Sequence, residues 1–229
     1  MLLCNIRIHG FAPRSGARNR LAPPVRVMTE NQAISIGSGA PDFSLVDPRT
    51  GKTVAREDVF QQRRGCVIMF ICNHCPFVLH LMDDINALAK EYQARGIGFV
   101  AISSNSVETH PQDGPEEMAK FAIANEFSFP YLYDRDQDVA KAYEAACTPE
   151  FYVYDVQSTP TLVYHGQYDS SRPSKYFKDS APITGEDIRK ALDGLLQGAP
   201  PLEHQVPSIG CNIKWKPGKE PAWFGPQEN

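Results

Sequence analysis

Cys66-Val67-Ile68-Met69-Phe70-Ile71-Cys72-Asn73-His74-Cys75-Pro76-Phe77 is the stretch whose reading decides the fold. Residues 66–71 form an unbroken apolar run of β-branched and aromatic character, which predicts a strand buried on both faces of a sheet with parallel neighbours. Directly after it, Phe77, Val78, Leu81, Met82, Ile85, Leu88, Ala89 and Tyr92 recur at helical spacing, and the pattern stops at Gly96. Pro76 suits the first turn of that helix, where an N–H has no partner in any case. The two cysteines of Cys72-Asn73-His74-Cys75 therefore stand at the junction of a buried strand and an amphipathic helix.

Working outward, residues 97–103 read as a second buried strand and 115–125 as a helix with Met118, Phe121 and Ala122 inward. Upstream, residues 42–46 alternate as a short strand before a turn at 48–51. Downstream, Asp136 is expected to cap a short helix whose inner face carries Val139, Ala140 and Tyr143. Residues 151–154 and 161–165 predict a hairpin about the turn at 157–160. After a polar loop over 166–181, Thr184 is expected to cap a last helix with Ile188, Ala191, Leu192, Leu195 and Leu196 inward, ended by Gly198. The class is α/β: a central mixed sheet with helices on both faces. One domain is expected over 37–198, preceded by a basic extension (1–36) and followed by an irregular Pro-rich tail (199–229).

The chain has 229 residues, 42% hydrophobic and 22% charged, with 23 basic and 27 acidic side chains. This globular balance excludes collagen-like, disordered and supercharged readings. The longest apolar run is far shorter than a bilayer requires, so a protein that does not span a membrane is expected. No basic cluster interrupts the body of the chain, which argues against a nucleic-acid partner. The basic charge is concentrated at the start: Arg7, Arg14, Arg18, Arg20 and Arg26 occur with no acid before Met28, leaving residues 28–229 at net −9 against −4 for the whole chain. Such a segment reads as an overhang, or as a transit peptide. Six cysteines are too few for a disulfide scaffold, and a reducing, cytoplasmic compartment is expected, where any disulfide is transient.

A Cys-x-x-Cys at a helix start is redox spacing: the sulfurs approach closely enough to open and close a disulfide without moving the fold. The helix start stabilises a thiolate, which selects Cys72, just before the helix, as nucleophile and Cys75, placed inside the first turn, as the thiol that resolves a mixed disulfide. His74 would stabilise the thiolate further when protonated. Cys66 reads as core and Cys4 as uninvolved, and no pattern links His80, His110, His165 and His204.

The Cys-x-x-Cys at a strand-to-helix junction, followed by Thr148-Pro149 leading into a strand, resembles the thioredoxin superfamily over most of 37–198. More narrowly, residues 70–77, Ala101-Ile102-Ser103-Ser104-Asn105, Cys147-Thr148-Pro149 and Ser208-Ile209-Gly210-Cys211 resemble its peroxiredoxin-like branch, the AhpC/TSA-type redoxins. The resemblance implies a thioredoxin-like fold and a cis-proline at Pro149 facing the cysteines, with Thr148 offering backbone groups to an extended partner. It also makes Cys147 and Cys211 candidate additional redox thiols. Met69 and Gly65 stand where peroxiredoxins carry Thr or Ser and Pro, and Ile71 and Cys66 stand where thioredoxins carry Trp and a buried proton-accepting carboxylate. The function expected is thus thiol–disulfide oxidoreduction through Cys72 and Cys75, with an antioxidant, redox-homeostasis role. The expected partners are protein or small-molecule disulfides and a thiol reductant, with no cofactor. The alternatives are a thiol-dependent peroxidase acting on peroxides, and a copper- or zinc-binding protein using Cys72, Cys75, His74 and a distant histidine; no metal is expected.

Overall fold

The computed structural model describes residues 34–224. Cys4, the five early arginines and nearly all of the expected 1–36 extension lie outside the described residues. Nine strands and five helices follow one another: β1 (Ser44–Asp47), β2 (Lys52–Ala55), α1 (Arg56–Phe60), β3 (Gly65–Phe70), α2 (Pro76–Gln93), β4 (Ile97–Ser103), α3 (Pro115–Ala124), β5 (Tyr131–Tyr133), α4 (Asp138–Ala142), β6 (Cys147–Thr148), β7 (Glu150–Asp155), β8 (Thr161–Gly166), α5 (Glu186–Gln197) and β9 (Cys211–Asn212). Seven strands form one sheet in the order β2-β1-β5-β4-β3-β7-β8, and β6 pairs with β9 separately.

β3 is central and wholly buried, parallel to β4 and antiparallel to β7. Because successive side chains alternate across a strand, Val67 and Met69 face one apolar layer with α2, α3 and α5, while Cys66, Ile68 and Phe70 face another with α1 and α4. Helices therefore cover both faces, as the doubly buried run at 66–71 requires. The expected hairpin is present as β7–β8.

Several short elements were not expected. The turn at 48–51 is followed by β2, and Arg49 ties it down: its guanidinium reaches the Asp47 carboxylate at 2.8 Å and the carbonyls of Phe127 and Phe129 at 3.0 and 2.7 Å. That bond network anchors the hairpin to the loop entering β5. Two capping expectations are corrected. The amides at the start of α4 are accepted by Asp134, at 2.9 Å for Ala140, whereas Asp136 pairs with Lys216 at the surface. At α5 the cap residue is Gly185 in the left-handed region, and Asp169 accepts the Thr184 and Gly185 amides at 2.8 and 2.7 Å; the Thr184 hydroxyl takes only the Glu186 amide, at 3.3 Å. In both cases a buried carboxylate from a loop displaces the nearest polar residue in sequence.

Residues 199–224 are irregular apart from β9 and a last turn, yet they are packed: Ile213, Trp215 and Phe224 lie in the layer with α1 and α4. Trp215, Trp223 and Phe224 meet edge to face. The same segment runs along β8, where the Gln205 side chain accepts from the His165 amide at 2.8 Å and donates to the Val163 carbonyl at 3.0 Å. From the segment that enters β1, Gly37 and Ser38 exchange backbone bonds with Leu162. Among the described residues no helix is long and apolar enough to cross a membrane.

At Gly98 in β4, α1 approaches the sheet closely: a Cβ there would stand 2.6 Å from the Val59 carbonyl oxygen. Gly98→Ala should therefore cost about 1–3 kcal/mol, the usual range for overpacking. Urea unfolding checks this, and a variant as stable as the parent would contradict the close approach.

Candidate active site

β3 delivers Cys72 to the end of the sheet, and the chain then turns into α2. The structure corrects one expectation about that turn. Cys75 is the residue that caps α2, in extended conformation, while Cys72 lies ahead of the helix. Pro76 takes the first helical position as expected. The Cys75 side chain makes no capping hydrogen bond, but the Val78 amide of the first turn favours its ionisation. Both cysteines are buried, whereas Asn73 and His74 between them are partly exposed.

The Thr148–Pro149 peptide is cis, and Thr148 contacts both sulfurs. Its hydroxyl lies 3.4 Å from Cys72 Sγ and its carbonyl accepts from Cys75 Sγ at 3.1 Å. Glu150, buried, holds the segment from behind, accepting the Ala146 and Cys147 amides at 2.8 and 3.1 Å with one oxygen and lying 2.7 Å from His165 Nε2 with the other. His165 in turn stacks on Tyr152. The expectation that Thr148 presents open backbone groups is also corrected: β9 occupies that edge, with Thr148 opposite Cys211 and Cys147 opposite Asn212.

Directly opposed residues of an antiparallel pair point to the same side. Thr148 and Cys211 accordingly face the dithiol, and Cys211 lies close enough to Cys75 to favour its ionisation. Cys147 faces away, its sulfur directed at the Pro149 and Ser208 carbonyls, each at 3.9 Å. Cys66 lies in the opposite layer of the sheet from Cys72, Cys75 and Cys211.

Sequence reasoning missed the most buried acid of the site. Asp113, in a single 3-10 turn at Pro111–Asp113, is fully buried. It accepts the Asn73 amide at 3.0 Å and the Asn105 side-chain amide at 2.8 Å, and its second oxygen is 2.6 Å from His74 Nδ1. Asn73 is held further by the Tyr131 hydroxyl at 3.0 Å and the Gln112 carbonyl at 2.9 Å. His110, which had no expected partner, stacks on His74. Asp113 gives no sign of this role in the sequence, where it sits in a Pro-Gln-Asp-Gly-Pro loop far from the cysteines. Cys72, His74 and Asp113 each direct a ligand atom to a common region, all within 4.8 Å of one another, while Cys75 stands outside that group.

Burial raises the Cys72 thiol well above its ordinary range, and its hydrogen bond to Cys75, the neighbouring Cys75 charge and the Asp113 carboxylate push the same way. For Cys75, burial also opposes ionisation, but bonds from Cys211, Cys72, Thr148 and the Val78 amide outweigh it and bring this thiol well below the ordinary range. The Thr148 carbonyl, which favours the protonated form, works against them. The groups around Cys75 therefore favour its ionisation, whereas burial beside the Asp113 carboxylate disfavours that of Cys72.

A model of the AhpC/TSA family matches residues 36–162. The thiol-disulfide oxidoreductase ResA of Geobacillus thermodenitrificans is 25% identical over 167 residues, which are 73% of this chain and 82% of ResA. Among solved structures, an uncharacterized conserved protein from Geobacillus kaustophilus is 51% identical with a TM-score of 0.75, over 80% of this chain and 94% of that one. A hypothetical protein from Sinorhizobium meliloti 1021 is 40% identical with a TM-score of 0.76, over 81% of this chain and 97% of its own. The expected thioredoxin-like architecture is the one observed.

Two outcomes follow from the geometry. Asp113→Asn sets an amide donor against the Asn105 side-chain amide or gives up the bond to the Asn73 amide, so it should cost about 1–3 kcal/mol; chemical denaturation reads this, and an unchanged midpoint would refute the packing described. Ultraviolet titration of the reduced protein should show one thiolate forming below the ordinary thiol range, absent from Cys75→Ser. Since the folded value lies below the unfolded one, the reduced protein should gain stability as pH rises between the two, and lose it as pH falls through the folded value.

Proposed function

The chain belongs to the AhpC/TSA family, and on that premise we propose that it is a thiol–disulfide oxidoreductase whose redox pair is Cys72 and Cys75. The observation that carries this reading is the Thr148 contact to both sulfurs of a Cys-x-x-Cys at a strand-to-helix junction. The similarity to ResA supports the same reaction class.

Cys72 is the attacking sulfur, because Cys75 is enclosed by Cys72, Cys211, Thr148 and the start of α2. As Cys72 attacks a substrate disulfide, its proton passes to the Cys75 thiolate; the substrate S–S bond breaks, one substrate thiolate leaves and a mixed disulfide remains. Cys75 then gives its proton to the first substrate thiolate and attacks Cys72 Sγ, the second substrate thiolate departs, and two electrons have passed from the dithiol to the substrate. A thiol reductant closes the cycle, which suits an antioxidant, redox-homeostasis role in a reducing cytoplasm. Protein and small-molecule disulfides are the substrate class. His74 and Asp113 flank Cys72 and position the Asn73 turn beside it.

One observation favours a second reading: Cys72, His74 and Asp113 offer three convergent ligand atoms, a number found in open metal sites. A single experiment separates the two. Reduced protein is challenged in metal-free buffer with oxidised glutathione or with hydrogen peroxide, and in parallel after addition of zinc. Disulfide exchange should be fast, abolished in Cys72→Ser, and arrested in Cys75→Ser as a mixed disulfide visible by intact mass. Full exchange activity in Cys72→Ser would overturn the assignment. Rapid multiple-turnover peroxide consumption would make the protein a peroxidase, and stoichiometric zinc that blocks both reactions would establish the metal reading.

A further inference from the structure

The mechanism above leaves one buried sulfur at the site unused. Cys211 lies 136 positions beyond Cys75 in sequence, and three independent features bring it there. The β6–β9 pairing sets Cys211 opposite Thr148, the residue that contacts Cys72 and Cys75. Gly210 allows the approach, since a Cβ at that position would stand 2.0 Å from the Thr148 carbonyl oxygen. Cys211 also shares the dithiol's buried apolar layer and lies close enough to Cys75 to favour its ionisation. Cys75 therefore has two thiol neighbours, Cys72 and Cys211. The strand that carries Cys211 fills the edge beside Pro149 where an extended partner strand would otherwise add.

We infer that Cys211 is a third redox thiol, presented to Cys75 by β9 as an internal substrate strand, and that the active-site disulfide migrates from Cys72–Cys75 to Cys75–Cys211. The inference rests on the dithiol reading for its first disulfide. In the migration step the Cys211 sulfur, having lost its proton, attacks Cys75 Sγ. The Cys72–Cys75 bond breaks, the Cys75–Cys211 bond forms, and Cys72 leaves as a thiolate that takes up a proton. One disulfide is present before and after, so no electrons are gained or lost. The effect is to return Cys72 to the thiol state while the oxidising equivalent is held in the core, away from the partly exposed Asn73–His74 rim.

The test uses the full chain. Trypsin cuts after Arg64, Lys90, Lys190 and Lys214, so Cys72 and Cys75 share one peptide and Cys211 lies on another, separate from that of Cys147. Reduced protein is treated with oxidised glutathione, quenched by alkylation in denaturant and mapped by mass spectrometry without reduction. Peptides 65–90 and 191–214 should become joined, with fragment ions placing the bond on Cys75 rather than on Cys66 or Cys72. The join should persist in Cys147→Ser and vanish in Cys211→Ser. In the unmodified chain the internal Cys72–Cys75 disulfide should form first and the joined peptides later, a time course that needs no variant to fold. If the unmodified chain stops at Cys72–Cys75 and Cys211 stays alkylatable, the third thiol is refuted and the dithiol reading stands. If the two peptides join through Cys75 while Cys72–Cys75 never forms, the third thiol stands and the dithiol reading falls.

Discussion

Thr148 lies against every sulfur that faces the site. Its hydroxyl is 3.4 Å from Cys72, its carbonyl takes the Cys75 thiol at 3.1 Å, and its backbone lies opposite Cys211. One residue can do this only if its peptide is held still, and the holding is distributed. Glu150 fastens the two amides before it, His165 and Tyr152 fasten Glu150, and Gly210 admits β9 against its carbonyl. These are buried polar contacts, and leaving one of them unmade costs more than its formation contributes. The arrangement of the sulfurs is thus a property of the segment 146–150 and its supports as much as of the Cys-x-x-Cys itself.

The parts of this architecture legible in the sequence are those that repeat. The run at 66–71 and the spacing of Phe77 to Tyr92 each contain enough residues for a period to show, and each formed the expected element. The family-level likeness likewise placed Pro149 at the site, and its cis peptide is there. What stayed hidden is short or paired at long range. β6 and β9 are two residues each and have no period. Asp113, Asp134 and Asp169 do their work through backbone amides, which carry no side-chain signature, so the capping roles fell by proximity to Asp136 and Thr184. Residues 199–224 look like a tail because Pro and Gly interrupt them, although Ile213, Trp215 and Phe224 complete the layer over α1 and α4.

The charge of the dithiol illustrates how far one position matters. A sulfur just ahead of a helix and a sulfur at its cap position are three residues apart, yet only the second has its ionisation favoured by the Val78 amide. Asp113 adds a fixed negative neighbour to the first. Sequence spacing identifies the pair; the protonation of its members depends on where the first helical turn begins and on a carboxylate from another loop.

The sheet ends on β8, and the backbone there is already engaged. Gly37 and Ser38 bond to Leu162, and the Gln205 side chain serves both the His165 amide and the Val163 carbonyl. An uncovered edge strand is a template on which another chain can add and grow into an aggregate. Here the two flanking segments of the domain close that template together, so β8 is shielded from self-association only while both the chain entering the domain and the chain leaving it stay in place.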